Sequence, residues 1–287
     1  MKLITWNIQW GCGADGRVDI GRIVDHARRF TDFDVLCLQE VSAGHSDLPG
    51  CDGSDQFQEL ARLLPGFTAI AGPATDMPGS EGSRRLFGNM ILSRFPVLQT
   101  FRHLLPWPAE PGVKSMQRAA LEITVDTPLG LIRITTTHLE YYSALQRMEQ
   151  VERLRELHRT ATAHSLIRQE AAEGPFAPLP RSSAAILVGD FNFSGDSVER
   201  ARLVAPIDEI TPAYCDAWDI THPGEEHAPT VGLFDKVHWP GPPFLSDFIF
   251  VSENMKTLVK DMRVDSASDA SDHQPVLIEL DPGYFPS

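Results

Sequence analysis

Eight side chains able to bind a hard cation or move a proton stand where apolar runs of the chain stop or begin. Asn7 closes Leu3-Ile4-Thr5-Trp6, and Gln39-Glu40 closes Val35-Leu36-Cys37-Leu38. His138 comes near the end of an alternating strand pattern over Ile132–Leu139, and Gly189-Asp190-Phe191-Asn192 closes Ile186–Val188. Asp247 opens Phe248–Val251, and Asp272-His273 precedes the run that starts at Val276. A buried carboxylate is costly unless it is paired or bound to a cation. One such carboxylate alone reads more readily as a loop residue at a strand exit; the set of three Asp, one Glu, two Asn and two His carries the argument. Oxygen ligands without Cys suit Mg²⁺ or Mn²⁺. Carboxylates with His supply a general base and a general acid. Asn can hold a phosphate oxygen or an attacking water without adding charge.

The elements that must position these residues are short strands, turn-rich loops and a few helices. Strands are predicted at Leu3–Trp6, Val35–Leu38, Thr68–Ala71, Asn89–Ser93, Leu121–Val125, Leu131–Leu139, Ala185–Val188, Phe248–Val251, Leu258–Val264 and Val276–Leu280, with a hairpin around Asp126–Gly130. Val35–Leu38 is apolar throughout and reads as buried on both faces. Asp19 caps a helix whose apolar positions are Ile20, Ile23, Val24, Ala27 and Phe30. Phe57, Leu60, Ala61 and Leu64 mark a second helix. The longest is predicted from about Ala144 to Ala172, with Leu145, Met148, Val151 and Leu154 as its apolar stripe and a solvated charged side. In an antiparallel or mixed sheet the end of one strand and the start of its neighbour share a rim. The four strand ends and two strand starts can therefore converge.

Six segments also carry a family resemblance in their order: Leu3–Ile8, Leu38–Val41, Asn89–Pro96, Thr137–Leu139, Gly189–Asn192 and Ser271–Val276. Together they resemble the successive motifs of the endonuclease/exonuclease/phosphatase superfamily. The resemblance implies a four-layer α/β sandwich of the deoxyribonuclease I type, with two packed, mostly antiparallel β-sheets flanked by helices. It implies Mg²⁺- or Mn²⁺-dependent hydrolysis of a phosphoester, in the first place a phosphodiester, by in-line attack of an activated water. Carried over by residue, Glu40 resembles the central metal ligand, with Asn7 and Asp272 as direct or water-mediated ligands. Asp190 and Asn192 resemble the pair that orients the water and binds the scissile phosphate. His273 resembles a general base or phosphate contact, with Asp247 fixing its tautomer, so a hydrogen-bonded His273–Asp247 pair is expected. His138 resembles a His that contacts phosphate or protonates the leaving oxygen, and a leaving-group role is expected of it. The chain departs from the pattern at Pro243–Ser246, where relatives often carry an Arg near the phosphate. The carboxylate that pairs with the leaving-group His in some relatives has no match, and Asn89 is the candidate for its place. Arg118 resembles a recurrent Arg; a substrate contact and a structural role are equally open.

The 287 residues read as a single domain over 1–287, with no long Lys/Arg run and a net charge of −14. This disfavours tight non-specific duplex binding without excluding a nuclease. Cys12, Cys37, Cys51 and Cys215 form no C-x-x-C pair, and Cys37 reads as a buried thiol. His222, His227 and His238 fit no common zinc spacing and read as loop residues. Trp107 and Trp239, in Pro-rich loops, could stack on a base or lipid but read more readily as partly buried loop anchors, and His26, His103, His158 and His164 read as solvated. The absence of a long apolar run or signal-like N-terminus leads to a cytoplasmic, monomeric protein as the expectation. The competing reading is a non-catalytic member of the same fold that binds a phosphorylated ligand or protein. The presence of all the main site residues argues against it.

Overall fold

The computed structural model describes residues 1–167, 170 and 172–281. In chain order it contains β1 (Lys2–Asn7), α1 (Ile20–Phe30), β2 (Val35–Ala43), α2 (Gln56–Leu63), β3 (Thr68–Pro78), β4 (Arg84–Ser93), β5 (Val97–Leu104), β6 (Ala119–Thr127), β7 (Gly130–His138), α3 (Ala144–Leu166), β8 (Ala185–Asp190), α4 (Val198–Val204), β9 (Tyr214–Asp216), α5 (Ala217–Thr221), β10 (Asp247–Ser252), β11 (Val259–Val264) and β12 (Val276–Leu280). The strands form two six-stranded sheets, ordered β11-β12-β1-β2-β4-β3 and β5-β6-β7-β8-β10-β9. Each sheet contains one parallel pair, β1–β2 and β7–β8; its other pairs are antiparallel.

Side-chain alternation builds the layers. Leu3, Val35, Cys37, Ile91, Ile134 and Val188 point between the sheets. Their neighbours Ile4, Leu36 and Leu38 point outward under α1 and α2. On the second sheet Leu187, Phe248 and Phe250 pack outward with Val151 and Leu154 of α3 and Leu203 of α4. β2 is thus covered on both faces, which explains its continuous apolar run. Asp19 caps α1 by accepting from the Arg22 N–H, as its position before the first apolar residue suggests. The hairpin between β6 and β7 closes at Thr127 and Gly130.

Three features differ from the sequence expectations. The helix expected to run to Ala172 ends at Leu166; Ile167, Glu170 and Ala172 are not helical, while Arg168, Gln169 and Ala171 lie outside the described residues. Its buried stripe is largely polar: Gln146, Gln150, Arg155 and His158 face inward, while Leu145 is 49% exposed. These polar groups are buried because distant carbonyls meet them. Gln146 donates to Pro108 O, Gln150 to Pro106 O, and Arg155 to the carbonyls of Arg202 and Pro206. His158, expected in solvent, is fully buried between Arg133, which donates to its Nδ1, and the Pro212 carbonyl, with its ring stacked on Tyr214.

Candidate active site

Register brings the predicted residues to one rim. In the second sheet His138 pairs with Asp190 across β7–β8, and Asp190 pairs with Asp247 across β8–β10. In the first, Asn7 lies beside Gln39 across β1–β2, and Thr5 pairs with Val276, so Asp272 and His273 arrive next to the end of β1. Four strand ends and two strand starts converge as expected.

Local backbone devices aim the side chains. Gln39 points between the sheets, where its amide donates to Thr5 and Thr136 hydroxyls, tying the two sheets together beneath the site. Strict alternation would then turn Glu40 toward the helices. Instead the β2–β4 register shifts between Leu38 and Val41, and Glu40 sits in the left-handed region at φ 61°. The bulge takes Glu40 out of the alternation, and Val41 resumes the helix-facing row. A non-glycine residue there stores about 1–3 kcal/mol of strain, a feature that concentrates at functional sites. Asn192 is also left-handed, at φ 53°, and its side-chain amide is anchored on Leu139 O. Gly189 is required by close approach: a Cβ there would lie 1.9 Å from Thr137 O at φ 140°.

The side chains form one network across both sheets. Asn7 Nδ2 donates to Glu40 Oε1 at 3.2 Å and to Asp190 Oδ2 at 3.0 Å. His138 Nε2 lies 3.4 Å from Asp190 Oδ2, and its Nδ1 lies 3.9 Å from Glu40. His273 Nδ1 and Asp247 Oδ2 are 2.8 Å apart, the hydrogen-bonded pair expected from the sequence. His273 Nε2 is 3.7 Å from Asp190. Asn89 does not stand beside His138 as its partner: its amide donates to Ala119 O and braces β4 against β6, while Asp190 and Glu40 are the carboxylates near His138.

Several participants escaped the sequence reading. Glu140 is fully buried and accepts from Arg118 Nε at 3.1 Å and from the Tyr142 N–H at 3.0 Å. The signal was present, since the β6–β7 register places Arg118 opposite Leu139, next to Glu140. Ser246 Oγ donates to Asp190 Oδ1 at 2.6 Å, in the segment where the resemblance would place a cation. Thr230 donates to Asp247, and Trp239 Nε1 donates to Asp272 Oδ2 at 2.9 Å. These three come from loop contacts with no periodic signal. His222 and His227 both stack on Trp218, while His238 pairs with Asp235, so these three His serve different loop contacts.

Burial and crowding set the charge states. Burial, with Asp272 nearby, pushes the Glu40 carboxyl up to about 7. Burial also pushes Asp247 up to about 6. Burial works against Asp190 too, yet His138, His273 and the Ser246 hydroxyl hold it below the usual carboxylate range. His273 is buried, but Asp247, Asp272 and Asp190 raise it well above the ordinary imidazole value. His138, desolvated and close to Arg118, drops to about 3 and is neutral at physiological pH.

This donor set fits a divalent cation. Carboxylate oxygens dominate, and burial together with its acidic neighbours holds Glu40 near the edge of protonation. Asp190, Asp247 and His273 offer ligand atoms within 4.8 Å of one another. Two of these three are already bonded to each other, which gives them the geometry of a base and its orienting carboxylate.

Two packed mixed sheets, flanked by helices and carrying an acidic, histidine-bearing rim, define a class of phosphoester-processing folds, and comparison with known proteins agrees. The chain matches the Endonuclease/Exonuclease/phosphatase family over residues 4–273 and belongs to it. No curated protein matches the chain. Among solved structures it resembles an endonuclease/exonuclease/phosphatase from Beutenbergia cavernae (TM-score 0.66, 24% identity, 98% of this chain and 71% of that one). It also resembles the mannosyl-6-phosphatase Bt3783 of Bacteroides thetaiotaomicron (TM-score 0.67, 18% identity, 98% and 99%). A third is D. rerio TDP2 humanized by 14 mutations (TM-score 0.62, 18% identity, 98% of each chain). At these identities the likeness concerns the fold. Among the described residues no helix is long and apolar enough to cross a membrane.

Proposed function

We propose that the chain hydrolyses a phosphodiester, using Mg²⁺ or Mn²⁺ and a water that attacks phosphorus in line. The observation that carries this reading is the His273–Asp247 pair set beside Asp190, with Asn7 bridging Asp190 to Glu40 on the facing sheet. Glu40, with Asn7 and Asp272, would hold the ion. When bound, the ion neutralises phosphate oxygens and the charge that develops on them. Asp190 stays ionised and orients the attacking water, accepting its proton, while Asn192 adds an uncharged contact. His273, kept cationic by its carboxylates, donates to a phosphate oxygen, and Asp247 fixes its ring. Neutral His138 donates an N–H hydrogen bond on the far side of Asp190. Its low proton affinity favours phosphate binding over the leaving-group protonation suggested by the resemblance.

The Mn²⁺-loaded protein should cleave bis(4-nitrophenyl) phosphate. Asp190→Asn should lower kcat by roughly 10²–10⁴-fold, the range of general acid–base catalysis. Glu40→Gln should abolish tight Mn²⁺ binding in calorimetry, whereas Asp247→Asn should retain it. Full Mn²⁺ binding with no turnover of this ester, plasmid, RNA, sphingomyelin or inositol phosphates would favour the non-catalytic, ligand-binding reading.

A further inference from the structure

A cavity of about 560 Å³ opens beside the catalytic rim, between the β3–β4 hairpin and the loop that leads into β6. Phe87, Met77, Met116, Trp107 and Leu48 supply apolar surface to its wall. Its lining residues are close to the site along the strands. Phe87 pairs with Ser42, two residues along β2 from Glu40, which is about 7 Å of strand. On the other wall the Met116 N–H points to Glu140 at 3.5 Å, and Gln117 precedes Arg118, the partner of Glu140.

Asp76 and the Nδ1 of His45 at this cavity have charged partners, Arg84 at 2.7 Å and Asp47 at 3.1 Å, while His45 Nε2 is buried with no hydrogen-bond partner among the described residues. The apolar wall, in contrast, is open: Trp107 is 50% exposed and Met77 38%. Trp107 is also held in place. Its Nε1 donates to Ser115, and the carbonyls of Pro106 and Pro108 on either side are clamped by Gln150 and Gln146 of α3. A rigid ring wall with soft methionine sulfurs and no free charge is suited to a flat apolar group.

We propose that this cavity is the specificity subsite for an aromatic ring on the alcohol of the phosphoester substrate, carried on a two-carbon arm about four bonds from phosphorus. The inference rests on the phosphodiesterase reading above and names the substrate class for the same site. Symmetrical diesters let either arm occupy the cavity. kcat/KM for bis(2-phenylethyl) phosphate should exceed that for bis(2-methoxyethyl) phosphate by roughly tenfold to a hundredfold, the worth of burying one ring. Trp107→Ala and Phe87→Ala should each shrink this ratio through KM, leaving turnover of the methoxyethyl ester unchanged. Equal kcat/KM on both esters in an active wild-type protein overturns the subsite and leaves the phosphodiesterase reading standing. If neither diester is cleaved, calorimetry of 2-phenylethyl phosphate against methyl phosphate decides the subsite independently of turnover. Tighter binding of the aromatic ester that is lost in Trp107→Ala supports it, and equal binding overturns it.

Discussion

At the scale of single residues, the site assigns different charge states to chemically similar groups by changing their surroundings. His138 and His273 both neighbour Asp190, yet one is driven to about 3 and the other well above the ordinary value. The difference lies in their other neighbours: Arg118 stands near His138, whereas Asp247 and Asp272 surround His273. A neutral His138 that binds phosphate should matter equally for good and poor leaving groups. His138→Ala should therefore slow an alkyl diester and a 4-nitrophenyl diester by similar factors, on the order of 10²-fold, the worth of one donor to a charged oxygen. A loss confined to the alkyl ester would show that a bound substrate raises His138 enough for it to deliver a proton to the departing alkoxide.

At the scale of elements, the sheets place the chemistry and the outer helices support it. β7 and β8 are pressed together at Thr137 and Gly189, the contact that sets His138 against Asp190. Gly189→Ala should lower unfolding stability by at least about 2 kcal/mol in urea titration, from its φ and the clash with Thr137 O. An unchanged midpoint would mean the two strands can separate freely. α3 offers a second test through His158, which burial and Arg133 bring down to about 4 from the ordinary 6.5. The folded protein therefore binds this proton less readily than the unfolded chain. The stability from keeping His158 neutral is fully present above pH 6.5 and is lost as pH falls toward 4, about 3 kcal/mol in all. His158→Gln, which keeps a donor and an acceptor, should lose less stability than wild type between pH 7 and pH 4. Equal losses in urea unfolding at the two pH values would remove His158 as the responsible group.

At the scale of the whole molecule, the candidate metal ligands and their neighbours come from both sheets. Glu40 and Asn7 come from the first sheet, and Asp190 and His138 from the second. A cation in this cluster relieves carboxylate crowding in a chain of net charge −14. Mn²⁺ at 100 times its Kd should add about 2.7 kcal/mol to unfolding stability. The melting temperature should rise accordingly, and Glu40→Gln should remove the rise. A metal-independent melting temperature in the wild-type protein would place the ion elsewhere or nowhere.

Read from the chain alone, the strand ends could be located because burial on both faces leaves long apolar runs, and polar residues at their ends stand out against them. Order along the chain added the family and the expected sandwich. What stayed hidden depended on contacts between distant segments. β5 carries Arg102 and His103 in a mixed pattern, and β9 has three residues; each exists by pairing with a neighbour, β6 or β10. The buried polar face of α3 reads as a solvated one because its partners are carbonyls about 40–50 residues away in sequence. Within the site, residue types were legible but charge states were not. Protonation follows from desolvation and the nearest charges, and both are fixed only once distant strands pair and the rim is buried. The bulge at Glu40 is likewise a tertiary decision. Alternation would turn this side chain toward the helices, and the cost of burying a carboxylate there is avoided by a local strain that points it to the rim.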